Sequence, residues 1–256
     1  NSSDNGFYVR HISEGFTTRP TLENIIISNS KYRGIMVEQY NRSKWNELSV
    51  NAIIRNTTVS GTGGPLAQTS GLGLAGLELN TSGAVINGLD LEGNHAPGLK
   101  AYMIDGSSKF QNVTSRSDGS RSISSNLADT SGIYLRSANW PVKLHDISVY
   151  DSIGSGILLW KGGATGTNWM AENSGGAGID IREFHPEVIG VKSVMNQLVG
   201  IQVIDSSNVR IEHANTSFNG QGASSDQSGA GFLFLRSNDV VSSGKDVTCL
   251  ECRSTD

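Results

Sequence analysis

Three acidic side chains in the second half of the chain have a spacing that suits a pair of cooperating carboxylates. Glu183 and Asp205 occupy the same place in two successive copies of a 22-residue pattern, and Asp180 comes shortly before Glu183. Two carboxyl groups about 5 Å apart suit a retaining glycoside hydrolase, and about 6.5–9.5 Å suits an inverting one. If successive copies of the pattern stack, Asp180, Glu183 and Asp205 are the candidate catalytic residues of such an enzyme.

Neighbouring residues suit a different reaction. A polysaccharide lyase needs a Lys, Arg, Tyr or His side chain as the base and a cation that neutralises a uronate. A third interpretation stays open, in which all of these residues are solvated charges that pair across strands and do no chemistry. The candidates for the lyase reaction are Tyr134, Arg136, Lys161, Arg182 and His185.

Aromatic and basic residues around the same stretch indicate a binding surface. Aromatic rings can stack on sugar rings, and Arg and Lys side chains can hold carboxylates or sulfates. Trp160 is the strongest indication, because an exposed tryptophan needs a partner more than an exposed arginine does. The candidate substrate-binding residues are Lys100, Tyr102, Tyr134, Arg136, Trp160, Lys161 and Arg182.

A short strand opened by glycine must position these residues. Its plainest copy is Gly178-Ile179-Asp180-Ile181-Arg182, and successive copies begin 22 to 42 residues apart. With glycine as position zero, side chains at +1 and +3 point inward and those at +2 and +4 point outward to solvent. The longest interval leaves room for one additional coil around Ser49–Ser60. The repeat glycines are Gly6, Gly34, Gly76, Gly98, Gly132, Gly156, Gly178, Gly200 and Gly231.

A second alternating segment follows most of these strands. Val142–Asp151 and Val209–Asn215 are examples, and their period-2 alternation with many β-branched residues predicts strands rather than helices. A polar turn ends each segment. Asn and Asp tolerate left-handed geometry there, and stacked amides can hydrogen-bond in a ladder, so we assign them a structural role. The turn residues are Asn29, Asn94, Asp151, Asn173 and Asn196.

The repeat of strand, turn, strand and turn resembles the right-handed parallel β-helix of the pectin-lyase-like superfamily, whose coils carry the pattern Gly-Ile-x-Val followed by Asn-Val-x-Ile-x-Asn. The resemblance covers nearly the whole chain. It implies an all-β fold, a right-handed single-stranded parallel β-helix (solenoid) of roughly nine to ten coils, and polysaccharide bound along one sheet. The catalytic motifs of polygalacturonases, pectate lyases and alginate epimerases are missing, so no catalytic set is carried over.

The composition narrows the classes of partner. The chain has 256 residues, a formal net charge of −4 and no basic cluster, which argues against a nucleic-acid ligand. No stretch approaches the ~20 apolar residues of a membrane span. We expect a single parallel β-helix domain over residues 1–256. We expect it to be a segment of a longer protein, with neighbouring protein domains or chains covering the ends of the β-helix.

The sequence predicts neither a cofactor nor a metal ion. No phosphate-binding or dinucleotide-binding fingerprint stands in its required context, and the five histidines lack the spacing of a metal site. Cys249 and Cys252 form a lone C-x-x-C. This pair leaves three alternatives open, namely two thiols, a local disulfide, or partners for sequence further downstream.

Sequons for N-glycosylation fit an extracellular or cell-surface, secreted glycoprotein. We therefore expect an extracellular β-helix module that recognises a polysaccharide or other glycan along one outward sheet face, with cleavage left open. The alternative is a non-catalytic structural or adhesive β-helix, a spacer in a large cell-surface or extracellular assembly. The possible glycosylation sites are Asn41, Asn56, Asn80, Asn112 and Asn215.

Overall fold

The fold consists of parallel strands along the whole described part of the chain. The computed structural model describes residues 5–11, 19–39, 51–63, 75–81, 83–104, 106–119, 130–137, 141–220, 230–235 and 247–255. In chain order the strands are β1 (Phe7–His11), β2 (Thr21–Glu23), β3 (Ile26–Ser28), β4 (Ile35–Gln39), β5 (Asn51–Ser60), β6 (Leu77–Asn80), β7 (Gly83–Glu92), β8 (Leu99–Ile104), β9 (Lys109–Arg116), β10 (Ile133–Ser137), β11 (Val142–Tyr150), β12 (Ile157–Glu172), β13 (Ile179–Val194), β14 (Ile201–Ile204), β15 (Val209–Ser217), β16 (Phe232–Leu235), β17 (Val247–Leu250) and β18 (Arg253–Thr255).

Strands that follow a repeat glycine form one parallel series. They pair in the order β1, β4, β6, β8, β10, β12, β13, β14 and β16. The register matches equivalent residues, so that Ile133, Ile157, Ile179 and Ile201 lie side by side. The predicted strand at each repeat glycine is therefore confirmed, and each such strand lies one coil further along a stack.

The second segments form another parallel series. Its order is β2 with β3, then β5, β7, β9, β11, β12, β13 and β15, and finally β17 with β18. β12 and β13 belong to both series because each continues through a bend at a left-handed residue, Lys161 or Glu183. Each coil thus contributes to both series, which is the predicted all-β parallel β-helix (solenoid) architecture. Its handedness and number of coils stay predictions.

The longest interval between repeat glycines contains no additional coil. β4 pairs directly with β6, and β5 pairs with β7 as the second strand of its own coil. The expectation of one more coil around Ser49–Ser60 is therefore wrong. The alternating residues there form β5, and the extra length falls in residues 40–50 and 64–74, outside the described residues.

Inward side chains of both series form one continuous apolar core. Ile179 and Ile181, at +1 and +3, are fully buried, as are their equivalents in the neighbouring coils. Trp169 of the second series is also buried, and its indole N–H donates to the carbonyl oxygen of Leu144 at 3.1 Å. This burial confirms the predicted inward side for the strands of the inner coils, whereas Phe7 of β1 and Phe234 of β16, in the first and last described glycine-led strands, are exposed.

Lack of space explains the repeat glycines. A Cβ atom on Gly156 would lie 2.6 Å from the carbonyl oxygen of Gly178, and one on Gly178 would lie 2.8 Å from that of Gly200. These separations are far shorter than the optimal contact of about 3.5–4.0 Å. Glycine at this corner therefore lets the backbones of successive coils approach one another.

The polar turn residues divide into two neighbouring columns. Asn29, Asp151 and Asn173 have left-handed backbones, each with a φ of 54°, and are exposed. Asn94 and Asn196 lie in the next column and are fully buried. The sequence treats these five residues as one column, and only the three-dimensional structure separates the exposed turn from the buried one.

The buried column forms the predicted hydrogen-bonded ladder, which we call the buried ladder. The backbone N–H and the Nδ2 group of Asn94 both donate to Oδ1 of Asp118, at 2.7 and 2.9 Å. The same two groups of Asn196 donate to Oδ1 of Asn219, at 3.0 and 2.8 Å. These bonds satisfy polar groups that have no access to water, so the ladder is part of the core.

The two cysteines are joined to each other. A disulfide links Cys249 of β17 to Cys252, just before β18. Both residues are partly buried and pack against the end of the apolar core. Of the three alternatives that the sequence leaves open, the local disulfide is the one that forms.

Candidate functional site

The outward face of the glycine-led strands is buried along much of its length. Side chains at +2 point away from the apolar core, as predicted, but their exposed fractions are only 8% at Glu78, 6% at Lys100, 2% at Tyr134 and 1% at Asp180. The expectation that this column faces solvent is therefore wrong from Glu78 to Asp180. Lys100 and Tyr134, both predicted to bind substrate, lie beneath the accessible surface.

A second apolar cluster lies on this outward side. Tyr134 and Leu158 form its buried part, and Tyr102 and Trp160 pack against it. The rings of Tyr102 and Tyr134 meet edge to face, with centroids 5.5 Å apart, and the Lys100 ammonium lies 5.3 Å from the Tyr102 centroid. Aromatic rings and cations therefore alternate across β8, β10 and β12, as the sequence indicates.

Asp180 is bound within the protein. Its carboxylate accepts two hydrogen bonds from Arg182, at 2.9 and 2.8 Å, and further ones from Gln202 at 3.3 Å and Ser155 at 3.4 Å. A buried carboxylate needs such partners because burial removes its hydration. Since both oxygens are engaged and the side chain is buried, this geometry favours a structural role for Asp180 over the predicted catalytic one.

Glu183 and Asp205 lie at the corner where successive coils bend. Both have left-handed backbones, each with a φ of 48°, and the register of β13 and β14 places them in adjacent coils. Oε1 of Glu183 accepts the indole N–H of Trp160 at 3.2 Å, and Oε2 lies 3.4 Å from Nζ of Lys161. Asp205 is partly buried and also engaged in a polar interaction. The predicted pair is adjacent, but the Glu183 carboxylate is already bound.

An accessible group of side chains on this face surrounds Trp160, and we call it the Trp160 patch: Arg136, Trp160, Lys161, Arg182 and Glu183. Trp160 is partly exposed. The guanidinium carbon of Arg136 and Nζ of Lys161 each lie 5.7 Å from the centroid of its ring, within the range of cation–π attraction. The indole is therefore held from several sides while part of it stays open to solvent.

The proposed lyase bases are engaged in contacts as well. Tyr134 is buried, and Arg182 is paired with Asp180. Nδ1 of the exposed His185 lies 2.5 Å from the carbonyl oxygen of Ser207. These contacts, together with those of Arg136 and Lys161 in the Trp160 patch, bind each candidate base to another part of the protein.

A groove on the second series of strands was not predicted from the sequence. It has a volume of about 420 Å³ and crosses β11, β12, β13 and β15. Gly190, with a φ of +76°, lines it together with Asn168 and His213 of the neighbouring coils. Exposed Lys192, two residues further along the same strand, also lines the groove. The sequence signal for this groove is the set of polar residues at outward positions of the second series, which lie side by side when the coils are in register.

The sequons differ in accessibility. Asn56, Asn112 and Asn215 are exposed. Asn80 is only 8% exposed and the Thr81 of its sequon is fully buried, so its burial argues against a glycan at Asn80. Asn41 lies outside the described residues.

Two kinds of feature are not found within the described ranges. No helix there is long and apolar enough to cross a membrane. No group of three or more His, Cys, Asp and Glu side chains there is arranged to hold a metal ion.

Comparisons with known proteins identify no family. No protein-family model and no curated protein matches the chain. One solved structure with some likeness is a trypsin-treated form of QnrB1, a plasmid-mediated fluoroquinolone resistance protein. It is 10% identical, the alignment covers 87% of this chain and 93% of that chain, and the TM-score is 0.24. At that TM-score the likeness carries no inference about the fold or function of this chain.

Proposed function

We propose that this β-helix recognises a polysaccharide through the Trp160 patch and does not cleave it. The observation that carries the proposal is the environment of Trp160. Its partly exposed indole is held by Arg136 and Lys161 at 5.7 Å, and its N–H is fixed on Glu183. An aromatic ring surrounded by fixed charges suits a ligand with an apolar ring face and polar edges, which describes a sugar.

Each side chain of the Trp160 patch could contact a different part of a bound sugar. The exposed portion of the indole would contact the C–H face of a sugar ring, and the Glu183 carboxylate would accept hydrogen bonds from hydroxyl groups. Arg136 and Lys161 would attract acidic substituents. Because internal contacts already order these side chains, binding would cost little additional conformational entropy.

Recognition without cleavage fits the state of the acidic residues. Asp180 is buried and bound to Arg182, and Glu183 is bound to Trp160 and Lys161. Neither carboxylate is free to attack a sugar or activate water, as a glycosidase requires. The same contacts also suit the alternative, a non-catalytic structural or adhesive spacer, which predicts no polysaccharide binding.

Membership of the pectin-lyase-like superfamily and an extracellular location belong to the same proposal. The glycine-led strands and the buried ladder support the first. The second is supported by the disulfide between Cys249 and Cys252, since disulfides persist mainly in oxidising compartments. Exposed sequons at Asn56, Asn112 and Asn215 agree with it.

Replacing Trp160 with alanine is expected to weaken polysaccharide binding at least about tenfold, equivalent to about 1.4 kcal/mol, while the protein stays folded. The reason is loss of the stacking surface together with the group that orients Glu183. Binding is measured by titration calorimetry against a panel of acidic and neutral polysaccharides, and circular dichroism verifies the fold.

Two matched variants locate the site. Phe218→Ala removes an exposed aromatic ring away from the patch and should leave affinity unchanged. Lys192→Ala tests the groove, and a loss of affinity there but not in Trp160→Ala would move the site to the groove. No binding to any polysaccharide would favour the spacer. Product masses are read in parallel, because water-added or unsaturated fragments would show that the module cleaves its ligand.

A further inference from the structure

Asp118 places a carboxylic acid inside the buried ladder, at a position where other coils carry asparagine. Its side chain is fully buried. Oδ1 accepts two hydrogen bonds from Asn94, just as Oδ1 of Asn219 accepts two from Asn196. Oδ1 of Asp118 therefore accepts the same two hydrogen bonds as the amide oxygen of an asparagine. The role of Oδ2 is different.

The second oxygen stands where an asparagine has an N–H donor. Nδ2 of Asn94 donates to the carbonyl oxygen of Val59 at 3.3 Å, and Nδ2 of Asn219 donates to that of Ser193 at 3.1 Å. Oδ2 of Asp118 takes the corresponding place in its own coil. A carboxyl oxygen can donate only when it carries a proton, so the ladder favours the protonated form of Asp118.

Ser115 gives an independent reason for that proton. Its Oγ lies 2.6 Å from Oδ2 of Asp118 and 3.2 Å from the carbonyl oxygen of Gly132. A hydroxyl has a single hydrogen to donate, so it cannot serve two acceptors fully. If Asp118 carries the proton, Asp118 donates to Ser115 and Ser115 donates to Gly132, and every group is satisfied.

The coil around Asn196 shows this arrangement with an amide. Nδ2 of Asn196 donates to Oγ of Ser193 at 2.9 Å, and Ser193 donates to the carbonyl oxygen of Gly200 at 2.6 Å. Serine precedes the ladder residue by three positions in both places, and the accepting carbonyl belongs to a repeat glycine in both. A protonated Asp118 has one hydrogen where the Asn196 amide has two, and it reproduces the one that Asn196 donates to Ser193.

We propose that Asp118 is a proton-operated latch of the β-helix, held protonated in the folded chain so that it donates to Ser115 and through it to Gly132. When the proton is lost, Ser115 donates to the charged carboxylate and the carbonyl oxygen of Gly132 keeps the N–H of Leu99, at 3.3 Å. A negative charge is then left inside the core, and we expect this corner to be weakened. The latch is a property of the fold and does not depend on the proposed polysaccharide recognition.

The latch lies next to strands that carry the aromatic face. Gly132 opens β10, and the Asp118 carboxyl also lies against Gly98, which opens β8, since a Cβ there would meet Oδ2 at 2.2 Å. β8 and β10 carry Tyr102 and Arg136. Deprotonation of Asp118 would therefore act on the strands beneath the Trp160 patch before it acts on distant coils.

The electrostatic surroundings support the same protonation state. The pKa of Asp118 is raised from its ordinary value of 3.8 to about 7, chiefly because burial removes the hydration of the charged form. Hydrogen bonds that the ionised carboxylate would accept from Ser115 and Asn94 oppose this rise, and the charge of Asp90 adds to it. Arg116 of β9 is paired with Asp90, at 2.6 Å. The other titratable side chains on the described segments around this corner are Glu92, His95, Tyr150 and Asp151.

The direction of the pH dependence follows from the pKa. Between pH 3.8 and about 7 the folded chain keeps a proton on Asp118 that the unfolded chain has released. Stability falls with rising pH wherever the folded state binds more protons than the unfolded state. The contribution of Asp118 to stability is therefore most favourable below pH 3.8, falls through this range, and is fully lost above about pH 7.

Asp118→Asn tests the latch because it supplies the donor permanently. Urea unfolding is measured from about pH 5 to about pH 8 for the wild type and the variant. We expect the unfolding equilibrium constant of the wild type to rise at least about tenfold more than that of Asp118→Asn over this range. Asn196→Asp places a carboxyl in the matched coil and should introduce the same additional dependence.

Equal pH slopes for the wild type and Asp118→Asn would overturn the proposal. A second measurement covers the case in which the variant does not fold. In wild-type protein with carbon-13-labelled aspartate carboxyls, one aspartate should titrate near pH 7 in NMR spectra. If all aspartates titrate below about pH 5, as ordinary exposed ones do, Asp118 carries no proton and the latch is excluded.

Discussion

Replacing Gly156 with alanine is expected to lower the free energy of unfolding by about 3 kcal/mol, the upper end of the usual cost of overpacking a core. The new methyl group would lie 2.6 Å from the carbonyl oxygen of Gly178 and 2.8 Å from Cβ of Ala171. Neither atom can rotate away, because one is backbone and the other is attached directly to it. The change is measured by urea unfolding followed by circular dichroism.

Gly93 provides the control for this substitution. It has a φ of +60°, and a Cβ there meets no atom within 4 Å. Asn29 and Asn173 hold the equivalent turn position with a φ of 54°, so Gly93→Asn should change stability by less than about 0.5 kcal/mol. If Gly156→Ala proves as stable as Gly93→Asn, close approach of successive coils is not the reason for the repeat glycines.

Replacing Arg182 with methionine should cost about 3 kcal/mol, since removing one partner of a buried ion pair leaves an uncompensated charge. Asp180 is 1% exposed, and Arg182 supplies its two shortest hydrogen bonds. Gln202 and Ser155, at 3.3 and 3.4 Å, would still donate to Asp180 in the variant, but neither carries a charge. Thermal and urea unfolding at neutral pH measure the loss.

A double variant separates the ion pair from packing. Leu158 lies next to Asp180 in the same outward column and is buried, so this side of the sheet already accommodates a leucine side chain. Asp180→Leu combined with Arg182→Met should therefore recover most of the stability, because replacing a whole buried ion pair with apolar groups is often neutral. A double variant no more stable than Arg182→Met alone would show that the arginine stabilises this face through contacts other than the charge of Asp180.

Local patterns in the sequence were sufficient to predict the strands. Alternation of apolar and polar residues fixes which side of a strand is buried, and a regular repeat places equivalent residues side by side. This alternation predicts that Ile179 and Ile181 lie in the interior, and both are buried there. The pattern does not reveal that the interval containing β5 holds no extra coil. A long interval between repeat glycines can arise from an additional coil or from insertions within one coil, and its length alone does not distinguish the two.

The candidate site was predicted only in outline. The sequence pattern predicts that Trp160, Arg136, Lys161 and Arg182 lie on one face. The structure places them together in the Trp160 patch. It did not indicate that Asp180 is buried or that the Glu183 carboxylate is bound by Trp160. Pattern rules assign a direction to a side chain, whereas accessibility depends on what packs over it.

The sequence by itself determined the period of the chain, the type of its elements and the inward residues of each strand, since these follow from neighbours along the chain and from steric limits on the backbone. Tertiary structure decided the rest. It paired Cys249 with Cys252, divided the polar turns into exposed and buried columns, and enclosed Asp118 where its charge is disfavoured. These outcomes depend on burial and on contacts between coils, which arise only when distant parts of the chain come together.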